Sequence, residues 1–357
     1  MKKPWIVVLT VLIIVFGVGY GLVRMGWNAN VLTRDVDETQ SQTLEGFDRL
    51  EIRSNIATVR LHTDASATAV TAHLNGSVTL LGQDADNLLQ VAAEGGTMRV
   101  QALVKRPLFF LNVRRMTLDI TLPAGYRGDL IGDSSAGGIE VDAPLELKSL
   151  DLHSSAGAIR LEGVTVSQTL TLNSSAGAIE TGVLTAQNIE IKSSAGPVRL
   201  GDVNAKQTLR LNSSAGAVEG GTLSADTIEI KSSAGPVELT GLQTASGTVK
   251  SSAGSVTVHN ISGSVSLKSS AGPVFADFLT LSGNCDIDSS AGAVEVTLPA
   301  DVSASLNASS SAGRVTLEGL TIQSQTSEKD EIVGTLGSGG PQLTIHSSAG
   351  SVKISGR

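Results

Sequence analysis

Apolar and polar residues alternate along the short stretches that lead into one recurring tetrapeptide, SSAG, which occurs eleven times. With each copy numbered from its first serine as zero, position −4 runs Leu130, Leu150, Leu170, Ile189, Leu209, Ile228, Gly247, Val265, Cys285, Leu306 and Leu343. Position −2 is apolar in every copy except at Gly132, and positions −3 and −1 are almost all polar. That period of two predicts a β-strand ending at each SSAG. Beyond the tetrapeptide the apolar set moves to odd offsets: position +5 is Ile or Val from Ile139 to Val352, and +7 is usually apolar. A change of phase requires a corner, and the glycine at +3 is expected to supply it through positive φ. The first serine then turns inward, where its hydroxyl can bond the turn backbone. The predicted corner residues are Ser134 and Gly137, Ser154 and Gly157, Ser174 and Gly177, Ser193 and Gly196, Ser213 and Gly216, and Ser232 and Gly235. They continue as Ser251 and Gly254, Ser269 and Gly272, Ser289 and Gly292, Ser310 and Gly313, and Ser347 and Gly350.

The copies recur every 18 to 21 residues, apart from one gap of 37 before Ser347. A period near 20 is the signature of a solenoid whose coils stack only on their neighbours. The fold class is therefore all-β, a single-stranded β-solenoid with no helix of consequence beyond the N-terminus. In-register stacking at about 4.8 Å per coil gives an array roughly 50 Å long. Polar, glycine-rich residues 324–340 are expected to be a loop within the long gap. Residues 42–129 lack SSAG but keep strand periodicity and read as degenerate coils that cap the first edge. One echo links the two regions: "ITLPAGYRGDLIGDSSAG" from Ile120 and "VTLPADVSASLNASSSAG" from Val296, with the same distance from Pro to Ser.

Three segments carry a family resemblance: "FDRLEIRSNIATVRLHT", "LDITLPAGY" and the closing "LTIHSSAGSVKISGR". Over about residues 45–357 the chain resembles a bacterial family of unknown function labelled "putative adhesin", often membrane-anchored. The resemblance implies a right-handed solenoid on the outer side of the cytoplasmic membrane. It also implies a link, in some relatives, to cell-envelope stress systems, and it brings no catalytic motif.

Composition sharpens this picture in two places. Aromatic residues are only 3% of the chain, so the core must be narrow and built from small and β-branched side chains. A net charge of −8 argues against nucleic acid, which demands a basic face. The uncharged run Trp5–Val23 follows Lys2 and Lys3, and at about 1.5 Å per residue it nearly spans a hydrocarbon core of about 30 Å. It reads as an uncleaved signal-anchor (1–23) that leaves the N-terminus cytoplasmic and the remainder extracytoplasmic. A polar tether (24–41), the capping coils (42–129) and the repeat solenoid (130–357) follow.

Candidate chemistry is sparse. Asp133 and His153 share position −1 on adjacent coils, with Ser135, Ser155 and Ser175 two residues further on the same face. A serine relay needs such proximity, yet these serines recur on every coil and no oxyanion site is signalled, so no catalytic residue is assigned. Polysaccharide-cleaving enzymes use similar scaffolds and stand as the enzymatic alternative. The alternating Glu140, Arg160, Glu180, Arg199 and Glu219 at +6 suit ion pairs between coils better than hydrolysis. The five histidines are scattered and Cys285 is alone, so neither a metal nor a cofactor is expected. Two features suggest binding. Lys231, Lys250 and Lys268, with Lys192 two coils earlier, line one column; Glu229 stands to neutralise Lys231, but Thr248 and Ser266, the corresponding residues before Lys250 and Lys268, offer no counter-charge. An anionic envelope polymer would supply one. In "VKRPLFFLNVRR", Leu108, Phe109, Phe110 and Leu111 lie between Lys105, Arg106 and Arg114, Arg115, a pattern suited either to an anionic membrane surface or to the cap. The sequence thus points to a non-enzymatic, adhesin-like envelope scaffold, with partnership to a membrane protein of a stress system as a further alternative.

Overall fold

The computed structural model describes residues 31–43, 46–81, 87–104 and 112–357. Twenty-eight strands and no helix occur among them, and all the strands join one continuous sheet. The apolar run Trp5–Val23 lies outside the described residues, and none of these holds a helix able to cross a membrane.

The repeats stack as expected, each strand in register with the next: Leu150 faces Leu130 and Leu170, and Ser154 faces Ser134 and Ser174. Positions −4, −2, 0, +5 and +7 face a core that runs the length of the stack. Two further inward columns complete it, +10 and +12, represented by Val164 and Val166, Leu184 and Ala186, and Val203 and Ala205. These columns close the coil opposite the SSAG corner.

Every first serine is buried. From Ser134 to Ser232 its hydroxyl donates to the carbonyl of the glycine three residues on, as in Ser193 Oγ to Gly196 O at 2.6 Å. From Ser251 onward the hydroxyl donates instead to the adjacent coil and accepts from its own glycine N–H. Ser251 Oγ thus reaches Gly235 O at 3.1 Å, while Gly254 N reaches Ser251 Oγ at 2.9 Å. The glycines correct the expectation of positive φ, because none of the eleven corner glycines adopts it. They are small for another reason. A Cβ on any of them would lie within 3.0 Å of the backbone of the neighbouring coil, and even at Gly272, the most open, it would sit 2.6 Å from Gly254. At this corner an added Cβ would point along the stack into the neighbouring coil, so glycine is demanded by the neighbour.

The order of coils departs from the order of the chain at both ends. We label the N-terminal strands β1 (Val31–Thr43), β2 (Arg49–Ser54), β3 (Thr58–Asp64), β4 (Ala69–Leu81), β5 (Leu89–Glu94), β6 (Thr97–Ala102), β7 (Asn112–Pro123), β8 (Asp129–Ser134) and β9 (Ile139–Val141). Strand β2 lies between β6 and β8, and β3 lies between β7 and β9, so the first coil is the second rung. At the other end Gln342–Ser347 is inserted between Cys285–Ser289 and Ala304–Ser310, which makes the last coil the penultimate rung. The two LPA segments are the links that step over these inserted rungs. In both, the proline carbonyl accepts a bond three residues on: from Tyr126 N to Pro123 O at 2.9 Å, and from Val302 N to Pro299 O at 3.1 Å. In both, the following alanine N–H bonds the end of the inserted rung: Ala124 N to Asp64 O and Ala300 N to Arg357 O, each 3.1 Å. The echo in the sequence encodes a two-rung step.

Antiparallel strands cover the ends. β5 pairs with β6, while Glu331–Leu336 pairs with Ala304–Ser310 and with Ile322–Ser327. The segment expected as a loop (324–340) therefore carries most of a capping hairpin. The expected tether also differs: its residues from 31 onward belong to β1, which pairs with β4 along its whole length. Side chains of β1 seal the open edge of β5. Gln40 donates to Leu89 O at 2.9 Å and accepts from Val91 N at 3.0 Å, and Glu38 accepts from Leu89 N at 2.8 Å. An edge strand satisfied in this way is poorly disposed to pair with another chain.

Candidate binding face

The outward residues form straight columns, because the stack is in register. On the face beyond the corner, Arg60, Glu140, Arg160, Glu180, Arg199 and Glu219 make an unbroken ladder of ion pairs, with N–O distances from 2.8 to 3.5 Å. Arg60 joins it only because the first coil is inserted next to Glu140. These pairs are largely exposed, and each contributes less than about 1 kcal/mol.

The face leading into the corner carries the lysines. Lys231, Lys250 and Lys268 are register partners on three consecutive rungs, bounded by Asn212 on one side and Asp288 on the other. Their surroundings differ from the sequence expectation. Lys192 pairs with Glu190 at 2.6 Å and Lys231 with Glu229, each within its own rung. Lys268 pairs with Asp286 at 2.6 Å, across to the next rung. The bond to Asp286 raises the Lys268 pKa, and the bond from Lys231 holds the Glu229 carboxyl below its usual range, helped by Arg210 and Lys250 nearby. Asp286 is missed when only the same coil is searched, although position −3 of the following coil would have revealed it. Lys250 is different: the −3 residues of its own and the next rung, Thr248 and Ser266, are uncharged, Glu229 on the preceding rung is paired with Lys231, and no ion pair involves Lys250 among the described residues.

Beside these lysines, a shallow groove of about 300 Å³ crosses the rungs at positions −5 to −3, where each coil enters the strand that leads to SSAG, its second corner. It is lined by Ser246, Thr248, Ser264, Ser266, Asn284, Gln342 and Thr344, by Gly247, Val265 and Cys285, and by one carboxylate, Asp286, which is paired with Lys268. Burial pushes the Cys285 thiol up to about 11, so it stays protonated and unreactive at neutral pH.

The remaining candidates do not converge. His153 stands in register with Asp133, but among the described residues no hydrogen bond joins them. Burial raises the Asp151 carboxyl pKa beside them. His62 lies between Asp142 at 3.3 Å and Asp119 at 3.6 Å, and no group of three or more His, Cys, Asp or Glu among the described residues is arranged to hold a metal. Lys105, Arg106, Leu108, Phe109, Phe110 and Leu111 lie outside the described residues. Arg114 and Arg115 belong to β7, where Arg114 is paired in register with Ser77.

A family model described as Toastrack DUF4097 matches residues 47–210 and again 201–355. No curated protein matches the chain. Among solved structures, a "putative adhesin" from Bacteroides fragilis is 12% identical, covering 90% of this chain and 97% of its own, at a TM-score of 0.31. A second "putative adhesin", from Parabacteroides distasonis, is 10% identical with coverage of 89% and 97% and a TM-score of 0.40. A "putative lipid binding protein" from the same organism is 12% identical, with coverage of 88% and 96% and a TM-score of 0.37.

Proposed function

The chain belongs to the Toastrack DUF4097 family, and on that premise we propose that it is a non-enzymatic binding scaffold of the bacterial cell envelope, held at the membrane through Trp5–Val23. The observation that carries the reading is the straight face itself. Thirteen parallel rungs, from β6 through the inserted strands to Ala304–Ser310, repeat the same outward positions about every 4.8 Å. Such a face offers a rigid, multivalent surface to an extended partner, and rigidity lowers the entropy lost on binding. The build of the N-terminal end supports an anchoring role, because β1 follows the apolar run closely and is zipped to β4 from Val31 to Thr43.

The test uses the full-length chain in detergent micelles, mixed with isolated envelope fragments and sedimented. The scaffold reading predicts co-sedimentation without release of soluble sugar. Absence of binding, or bond cleavage dependent on the chain, would overturn it. Alkaline carbonate extraction of membranes tests the anchor: the full chain stays with the lipid, and a variant lacking residues 5–23 does not.

A further inference from the structure

Resting on the scaffold reading, we infer that the lysine face beside the second-corner groove binds a linear acidic glycan laid along the solenoid axis. Two independent features meet there. Lys250 is an ammonium with no ion-pair partner among the described residues, held in register between two lysines that each have one, and the nearby Glu229 is already engaged by Lys231. Like charges on adjacent rungs repel, and an external anion relieves that repulsion. About ten ångströms along the same strands, the groove presents hydroxyl and amide groups from Ser246, Thr248, Ser264, Ser266, Asn284 and Gln342, and its one carboxylate, Asp286, is held by Lys268. Its volume of about 300 Å³ is at the lower end of the range for small-ligand clefts, enough for a sugar unit that extends onto neighbouring rungs.

The chemistry selects the class of ligand. Hydroxyl and amide walls bond sugar hydroxyls, and Lys250 takes a carboxylate through a charge-assisted bond. Lys231 and Lys268 contribute a positive field along the same line but are partly neutralised by Glu229 and Asp286. A lipid bilayer fits less well, because a membrane-resting surface needs exposed apolar side chains. Among the described residues, the large exposed hydrophobic side chains, Val183 and Leu279, line neither the groove nor the lysine column.

The fold supplies its own control. Asp286 neutralises Lys268 from position −3 of the next rung, and Ser266 occupies the same place relative to Lys250. Ser266→Asp therefore places an internal counter-charge on Lys250, and Asp286→Asn releases Lys268.

The experiment measures binding of polygalacturonate to the full-length chain in micelles, with its methyl ester and anionic phospholipid vesicles as comparison probes. The wild type binds the acid form, salt weakens binding, and the ester binds poorly. Lys250→Ala and Ser266→Asp each weaken binding about fivefold or more, and Asp286→Asn strengthens it. Unchanged thermal melting separates these effects from misfolding. Binding that is indifferent to all three substitutions overturns this site and leaves the scaffold reading standing. Binding to vesicles in place of the glycan overturns the glycan assignment. Failure to bind either these probes or envelope fragments overturns the scaffold reading as well.

Discussion

Gly196→Ala removes nothing and adds one methyl group, yet it should break the stack. The new Cβ would point into the backbone of the preceding coil at Gly177 and Ala178, well inside contact distance. Relief requires the Cβ to move about 1.4 Å from Gly177 O, from 2.0 Å to the 3.4 Å at which ordinary contacts begin, and so parts the two rungs locally. Three bonds hold them at this corner, Ser194 N to Ser174 O, Ala195 N to Ser175 O and Ile179 N to Pro197 O, each 3.0 Å. Lengthened by that much they cease to be hydrogen bonds. At about 1 kcal/mol net apiece the cost is about 3 kcal/mol, and a chain of this size should lose about 4 °C in melting temperature. Gly163→Ala is the matched control. Its Cβ would meet nothing closer than Val183 O at 3.7 Å, so the change should fall within about 0.5 kcal/mol. Thermal denaturation of the full-length variants, followed by circular dichroism, reads both. Limited proteolysis should also show new cleavage near the Gly196 corner, because a solenoid is held together by neighbour contacts. Equal stability of Gly196→Ala and wild type, or equal loss in Gly163→Ala, would refute the close-approach account of the corner.

Further outcomes follow from the same geometry. Ser193→Ala removes the bond to Gly196 O and should cost about 1 kcal/mol in denaturant melts, much less than Gly196→Ala. Arg160→Ala breaks the exposed ladder between Glu140 and Glu180 and should cost less than about 1 kcal/mol, an effect that fades in high salt. Asp129 is held below the usual carboxylate range by the Ser149 hydroxyl and then by Lys148 and Arg49. Its contribution is complete above the unfolded pKa of about 3.9 and is lost as pH falls through the lower folded value. The acid limb of the pH–stability profile should therefore be shallower in Asp129→Asn. Deletion of residues 341–357 removes a penultimate rung and should unfold the cap beyond it, read as loss of protection in hydrogen exchange across Ala304–Glu318.

Much of the fold was legible because each coil repeats the same physical problem. Alternation up to Ser134, Ser154 and their counterparts, then the change of phase to Ile139 and Ile159, identified two strands and a corner in every copy. The +10 and +12 columns were harder to see, since Thr244 and Gly263 interrupt them and the strands there shift register. Rung order was not legible from periodicity, which reports which residues face inward but not which coil lies next to which. Its trace was the LPA echo, whose meaning needed the bonds to Asp64 and Arg357. The register of the lysine column is legible from the repeat, but its charge balance is not legible within one coil, because the partner of Lys268 comes from the next rung. That same displacement singles out Lys250.

Every functional statement about this chain reads outward columns, and those columns exist only if the rungs stack in the order described. Disulfide trapping between exposed second serines of the corners tests that order directly. Ser290→Cys with Ser348→Cys places two thiols on adjacent rungs, within the Cα separation of about 4.4–6.8 Å that a disulfide spans. Ser290→Cys with Ser311→Cys places them two rungs apart. The account predicts rapid oxidation of the first pair and none of the second, and cross-linking of the second pair in place of the first would contradict it.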